Sequence, residues 1–145
     1  MNDDLEQYEK FPCILKLKLK SGEVKFPRAT RFHYDPISTF RAVERSENDF
    51  RPISRDDFRS YFELGRKRKV RGRNEDITSN PRYYGVSTST SKEKIEQLMK
   101  FPNPNKKMAR GYVMDCGGPE CTEGDHVCWW LFENADVSNF ELVEE

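Results

Sequence analysis

The sequence has no long apolar run, few hydrophobic residues and no net charge. No stretch approaches the ~20 consecutive apolar residues that a membrane-spanning helix needs. Lys and Arg together number 25, as do Asp and Glu, so no global field steers the chain to nucleic acid or a membrane, although a local patch could. The first residues, Met1-Asn2-Asp3-Asp4, lack the basic-then-apolar plan of a signal peptide. A cytoplasmic location is therefore the expectation, with the four cysteines reduced. There is no internal repeat and no linker long enough to divide domains. The 145 residues suit one compact domain spanning residues 1–145, with residues 1–11 polar and loose or helical.

Aromatics offset the hydrophobic fraction of only 35%: ten Phe, six Tyr and two Trp each bury a large area. Between residues 13 and 20 Leu15, Leu17 and Leu19 alternate with Lys16, Lys18 and Lys20, and Val24 to Phe26 resumes the pattern after Ser21-Gly22. That alternation predicts a β-hairpin over residues 13–26. Residues 40–44 form a short strand candidate that carries Arg41 among apolar neighbours. Ser54, with Asp56 and Asp57 behind it, starts a helix whose apolar face is Phe58, Tyr61 and Phe62 and which stops at Gly65. Residues 66–82 then form a mobile basic loop, with Arg66, Lys67, Arg68, Lys69, Arg71 and Arg73 as its cations.

The chain is organised around residues 83–93. Val86 to Ser89 is a short hydroxyl-rich strand, and Thr90 with Glu93 three residues later fits a capping box. The helix that follows has Ile95, Leu98 and Met99 on one face. Hydroxyls are thus delivered to a helix N-terminus that favours anions, although a serine-rich cap and loop accounts for the same residues. Further strands are expected at residues 109–114, at 127–132 with Trp129 and Trp130 facing opposite ways, and at 140–143, and a Gly-rich loop at 115–125. Few crossovers are helical. The expected fold is α+β: a mixed, mostly antiparallel sheet with an N-terminal β-hairpin and two short helices.

Three groupings could carry chemistry. Cys116, Cys121, His126 and Cys128 cluster, but without a Cys-x-x-Cys knuckle, so no metal is expected. Cys116 beside Gly117-Gly118 could be a nucleophile, yet nothing marks it as one. The third grouping is Arg41 on an early strand, Ser87-Thr88-Ser89 leading into a helix, and an acidic residue near a late strand. This order resembles the three-part signature of ADP-ribosyltransferases. The resemblance implies that Arg41 holds the phosphates of NAD. It implies that Ser87, Thr88 and Ser89 support the nicotinamide-ribose pocket. It implies an acid that stabilises the oxocarbenium-like centre or orients the acceptor, with Glu123 and Glu133 the two candidates. His126 and Trp130 share a strand face and could wall such a pocket, or pack in the core. Residues 40–143 are also similar to a widespread group of small bacterial proteins with no assigned activity, which implies a bacterial or phage source.

Three functions remain in view. One is an NAD-using transferase or glycohydrolase of toxin or conflict-effector type. One is a non-catalytic inhibitor, of immunity or anti-defence type, that binds a protein target. The third is nucleic-acid binding through the basic loop. A convergent pocket, an exposed apolar or charged patch, and a continuous cationic face would respectively favour each.

Overall fold

Four residues separate Phe11 from Leu15 and Leu15 from Leu19, and that spacing decides the N-terminal structure. The computed structural model describes residues 7–60, 69–70, 73–74, 81–100 and 106–143. In it the expected hairpin is instead a helix, α1 (Cys13–Ser21). A Leu-Lys repeat satisfies two periods at once. Its alternate positions suit a strand, but every second leucine also falls four apart, on one face of a helix. Leu15 and Leu19 are buried on that face, with Phe11 buried just ahead of the helix, while Leu17 is 55% exposed. Leucine and lysine both favour helix, and lysine is poor in strands. Lys18 and Lys20 stand in the last turn, where positive charge suits the helix dipole. Gly22 closes the helix in the left-handed region (φ 80°), donating its N–H to the Leu19 carbonyl.

The rest is built on a six-stranded antiparallel sheet: β1 (Ile37–Glu44), β4 (Val86–Ser89), β5 (Lys106–Val113), β6 (Glu120–Glu123), β7 (His126–Trp129) and β8 (Glu141–Leu142). Their spatial order is β6-β7-β4-β1-β5-β8. A separate two-stranded ribbon joins β2 (Lys69–Val70) to β3 (Arg73–Asn74). The mixed α+β class expected from the sequence is the observed one.

One face of the sheet carries Tyr83, Tyr84, Cys121, Cys128, Trp130 and Phe132 beneath α1. The other carries Val43, Phe58, Val86, Val127, Trp129 and Phe140. Trp129 and Trp130 therefore anchor opposite cores, both fully buried. Each indole N–H is satisfied: Trp129 donates to the Gly118 carbonyl at 3.2 Å and Trp130 to the Pro81 carbonyl at 2.7 Å. Gly85 is where the chain enters β4 directly over this layer. A Cβ there would lie 2.4 Å from Cys128 Sγ and 3.1 Å from Trp130 Nε1.

Three further expectations are corrected. The Gly-rich loop at residues 115–125 contains β6, paired with β7 from Glu120↔Trp129 to Glu123↔His126. Its polar composition hid a strand that is half solvent-facing. The helix expected after Ser54 is a single 3₁₀ turn, Arg55–Asp57, with the Ser54 N–H on Asp57 Oδ2 at 2.9 Å; residues 61–65 of that expectation lie outside the described residues. The helix after β4, α2 (Lys92–Lys100), is capped one residue later than Thr90. Ser91 Oγ accepts the Lys94 N–H at 3.3 Å, while the Thr90 hydroxyl is drawn to Asp125 at 3.1 Å. The expected face of α2 does include Ile95, which is buried. No described helix is long and apolar enough to cross a membrane.

Candidate functional site

The two central strands part company almost as soon as they meet. β1 and β5 pair over their whole length, from Ile37↔Val113 to Glu44↔Lys106. β1 and β4 pair only at Phe40↔Ser89. Arg41, the next residue of β1, spans the opening. Its Nη1 donates to the Ser87 carbonyl at 2.7 Å and its Nε to the Asp57 carbonyl at 3.1 Å. The guanidinium carbon lies 5.5 Å from the centre of the Phe58 ring, a cation–π arrangement. Backbone carbonyls at a parted ladder need donors, and Arg41 supplies them.

Arg45 holds the far end of this arrangement. It is buried and grips Asp57 with two nitrogens, Nη2 to Oδ2 at 2.6 Å, and donates to the Glu44 carbonyl at 2.9 Å. A buried pair of this kind persists because both ions are hydrogen-bonded, and breaking it costs several kcal/mol. Its effect is to fix the 54–57 turn, so that the Asp57 carbonyl faces Arg41.

The Ser87 side chain lies on the opposite sheet face from the Arg41 side chain, since register places Ser87 against Cys128 and Ser89 against His126. Arg41 and Ser87 thus meet through the Ser87 carbonyl and not through its hydroxyl. That hydroxyl is 3.1 Å from His126 Nε2, and both side chains are exposed. Glu123 is the cross-strand partner of His126 and forms an ion pair with Arg82. Desolvation, followed by the charge of Arg82, holds the His126 imidazole below its ordinary range, against the opposing pull of Glu123. His126 is therefore neutral near pH 7.

The remaining expected site residues separate into two kinds. Thr88 is buried and donates to the Val127 carbonyl at 2.9 Å. Ser89 is buried and accepts the Ser91 N–H at 3.0 Å. Trp130 is a core residue packed 5.0 Å from Phe26, not a wall of an open site. These three hold the site's frame. Of the two acids, Glu123 stands beside His126. Glu133 lies past Phe132, its N–H on the Lys10 carbonyl at 2.9 Å.

Cys121 and Cys128 are buried register partners on β6 and β7. Burial pushes the Cys128 thiol up to about 12, so it is inert near neutrality. Among the described residues no three His, Cys, Asp or Glu side chains group as metal ligands. Of the basic run, Lys69 and Arg73 belong to the β2–β3 ribbon, while Arg66, Lys67, Arg68 and Arg71 lie outside the described residues.

Sequence reasoning missed Arg82 and Asp57. Arg82 meets Glu123 across 41 residues of chain, and Asp57 reads locally as a helix-start acid. No short-range pattern marks either role. No family model matches this chain, and neither a curated protein nor a solved structure is similar enough to match it.

Proposed function

We propose that this protein binds NAD, consumed as substrate, where β1 and β4 part, and catalyses ADP-ribosyl transfer or NAD glycohydrolysis there. One observation carries the reading. Arg41 and Ser87, 46 residues apart in sequence, sit on adjacent central strands with the guanidinium on the Ser87 carbonyl. These are the first two parts of the signature the sequence resembles. For the third part, the acid, we take Glu123, the cross-strand partner of the His126 that lies beside the Ser87 hydroxyl.

On this reading Arg41 meets the pyrophosphate, where a planar bidentate fork suits phosphate oxygens better than an ammonium does. Two carbonyls and the Phe58 ring hold it in orientation beforehand, which lowers the entropic cost of gripping the ligand. The Ser87 hydroxyl and the His126 imidazole are exposed on the other face of the sheet, so on this reading the ligand meets β4 at Arg41 through the Ser87 carbonyl side of the opening. Incubating the protein with millimolar NAD tests the reading. A rise in melting temperature together with release of nicotinamide supports it, and the absence of both removes it.

A second reading, a protein-binding inhibitor, is favoured by Phe50. This ring is 74% exposed on a loop braced by Lys107, whose ammonium lies over it and donates to the Glu47 and Asp49 carbonyls at 3.0 and 2.9 Å. Rigid exposed aromatics are typical anchors of interfaces. Loss of a partner's binding on Phe50→Ser, with no NAD effect in the wild type, would favour it.

A further inference from the structure

We infer that Ser87 and His126 form a nucleophile–base pair that hydrolyses esters of carboxylic acids, on the sheet face opposite Arg41. This chemistry is separate from the grip of Arg41 on NAD, and either can fail without the other. The three hydroxyls of β4 divide by partner. Thr88 is buried and donates to the Val127 carbonyl, and Ser89 is buried and accepts the Ser91 N–H. Both serve the backbone. Ser87 is exposed, and its partner is a side-chain base, with Oγ 3.1 Å from His126 Nε2. A solvent-facing hydroxyl on an imidazole is the pairing that nucleophilic catalysis needs, because the base takes the proton as the oxygen attacks.

Strand register makes the contact. Ser87 opposes Cys128 and Ser89 opposes His126, so Ser87 and His126 are diagonal neighbours on one face of β4 and β7. On that face α1 packs over Cys121, Cys128 and Trp130 and leaves Ser87 and His126 uncovered. Arg82, in the turn before β4, is paired with Glu123 of β6, the cross-strand partner of His126. Asp125, next in sequence, is held by Lys94 of α2 at 3.1 Å and by the Thr90 hydroxyl. On the same strand Cys128 stays protonated. Desolvation, with the charge of Arg82, keeps the imidazole neutral near pH 7 against the pull of Glu123. With the ring proton on Nδ1, Nε2 accepts the Ser87 hydroxyl. Arg82 also sets a positive charge beside the pair, which suits the oxyanion that forms from the substrate carbonyl.

Ser87 Oγ bonds to the acyl carbon while its proton passes to His126 Nε2, and the carbonyl oxygen takes up the electron pair of its π bond. Collapse of this intermediate breaks the bond to the alcohol oxygen, which leaves with the proton from Nε2. Water then attacks the acyl-serine, and its proton passes through His126 back to Ser87 Oγ as the acid leaves. An ester and water become an acid and an alcohol, with nothing oxidised or reduced.

The test treats the whole protein with diisopropyl fluorophosphate, which phosphorylates an activated serine with loss of fluoride, and locates the adduct by mass spectrometry. Ser87 should carry it, with Ser89 and Ser91 unlabelled in the same molecule. The labelling rate, followed between about pH 5 and 8, should fall on the acid side with a midpoint below the ordinary 6.5. His126→Gln keeps a hydrogen-bonding group near Ser87 but accepts no proton. It should slow labelling by roughly 10²–10⁴, in protein shown to be folded by its melting temperature. The ester probe p-nitrophenyl acetate should leave an acetyl group on wild-type Ser87 that water then removes. A wild type unlabelled at Ser87, or never acetylated there, overturns the inference without recourse to any variant. A labelling rate independent of pH, or equal in His126→Gln, also overturns it. None of these results bears on NAD binding at Arg41.

Discussion

Arg41 of β1 reaches the Ser87 carbonyl of β4 at 2.7 Å, one residue beyond the only pair that joins the two strands. The arginine completes a ladder that the backbone abandons. Replacing it with methionine keeps much of the packing on Phe58 but leaves the Ser87 and Asp57 carbonyls without these donors. Arg41→Met should lower stability by about 1–3 kcal/mol, read from chemical denaturation at constant m. No change would mean that water satisfies both carbonyls and that Arg41 has no structural duty.

The helical assignment of residues 13–21 is open to a direct comparison of two leucines. Leu15 is buried beneath Phe11 and Leu19 on the helix face, and Leu17 points to solvent. Leu15→Ala should cost about 2–5 kcal/mol and Leu17→Ala less than about 0.5. Equal costs would instead fit the hairpin that the alternating pattern suggests.

That pair of residues also marks what could be read in advance. Strands β1, β4, β5 and β7 were legible, because β-branched and aromatic residues bounded by turns point to strands whatever their partners. The Leu-Lys run was ambiguous in principle, since periods of two and four coincide at Leu15 and Leu19, and only burial by Phe11 and the aromatic layer selects the helix. β6 was hidden because a strand with Glu120, Thr122 and Glu123 carries no apolar run. For the site, motif order singled out Arg41 and Ser87 but said nothing of where the strands part. The Ser87–His126 contact depends on register between segments 39 residues apart. Arg45 and Asp57 escaped for the same reason: their importance comes from facing each other, not from any local pattern.

Gly85 tests the packing behind β4. A methyl group there meets Cys128 Sγ at 2.4 Å and the Trp130 indole nitrogen at 3.1 Å, in a layer where both are buried. Gly85→Ala should destabilise by roughly 1–3 kcal/mol through overpacking. Combining it with Cys128→Ala, which opens space at the closest contact, should recover part of the loss. The absence of any recovery would place the strain elsewhere.

Acid should loosen the loop that carries Phe50. The hydrogen bond from Arg51, with the charges of Arg51 and Arg45, holds the Asp49 carboxyl at about 2, below its ordinary 3.8. Because the folded value is the lower one, the stabilisation is present above the unfolded value and is lost as pH falls through the folded value. The window lies between about pH 4 and 2. Asp49→Asn should flatten the fall in stability across that window, measured by urea denaturation at several pH values. An identical slope in the variant would show that Asp49 is not perturbed by its arginines.

The central claim is that Arg41 grips the phosphates of NAD, and calorimetric titration of NAD into wild type and Arg41→Lys tests it most directly. The lysine keeps the charge and loses the fork. The account predicts saturable binding by the wild type and a loss of roughly 1.5–3 kcal/mol in the variant, about 10- to 150-fold in affinity, with both proteins folded by circular dichroism. Wild-type protein that gives no heat at millimolar NAD, or an Arg41→Lys variant that binds NAD as tightly as the wild type, would contradict it.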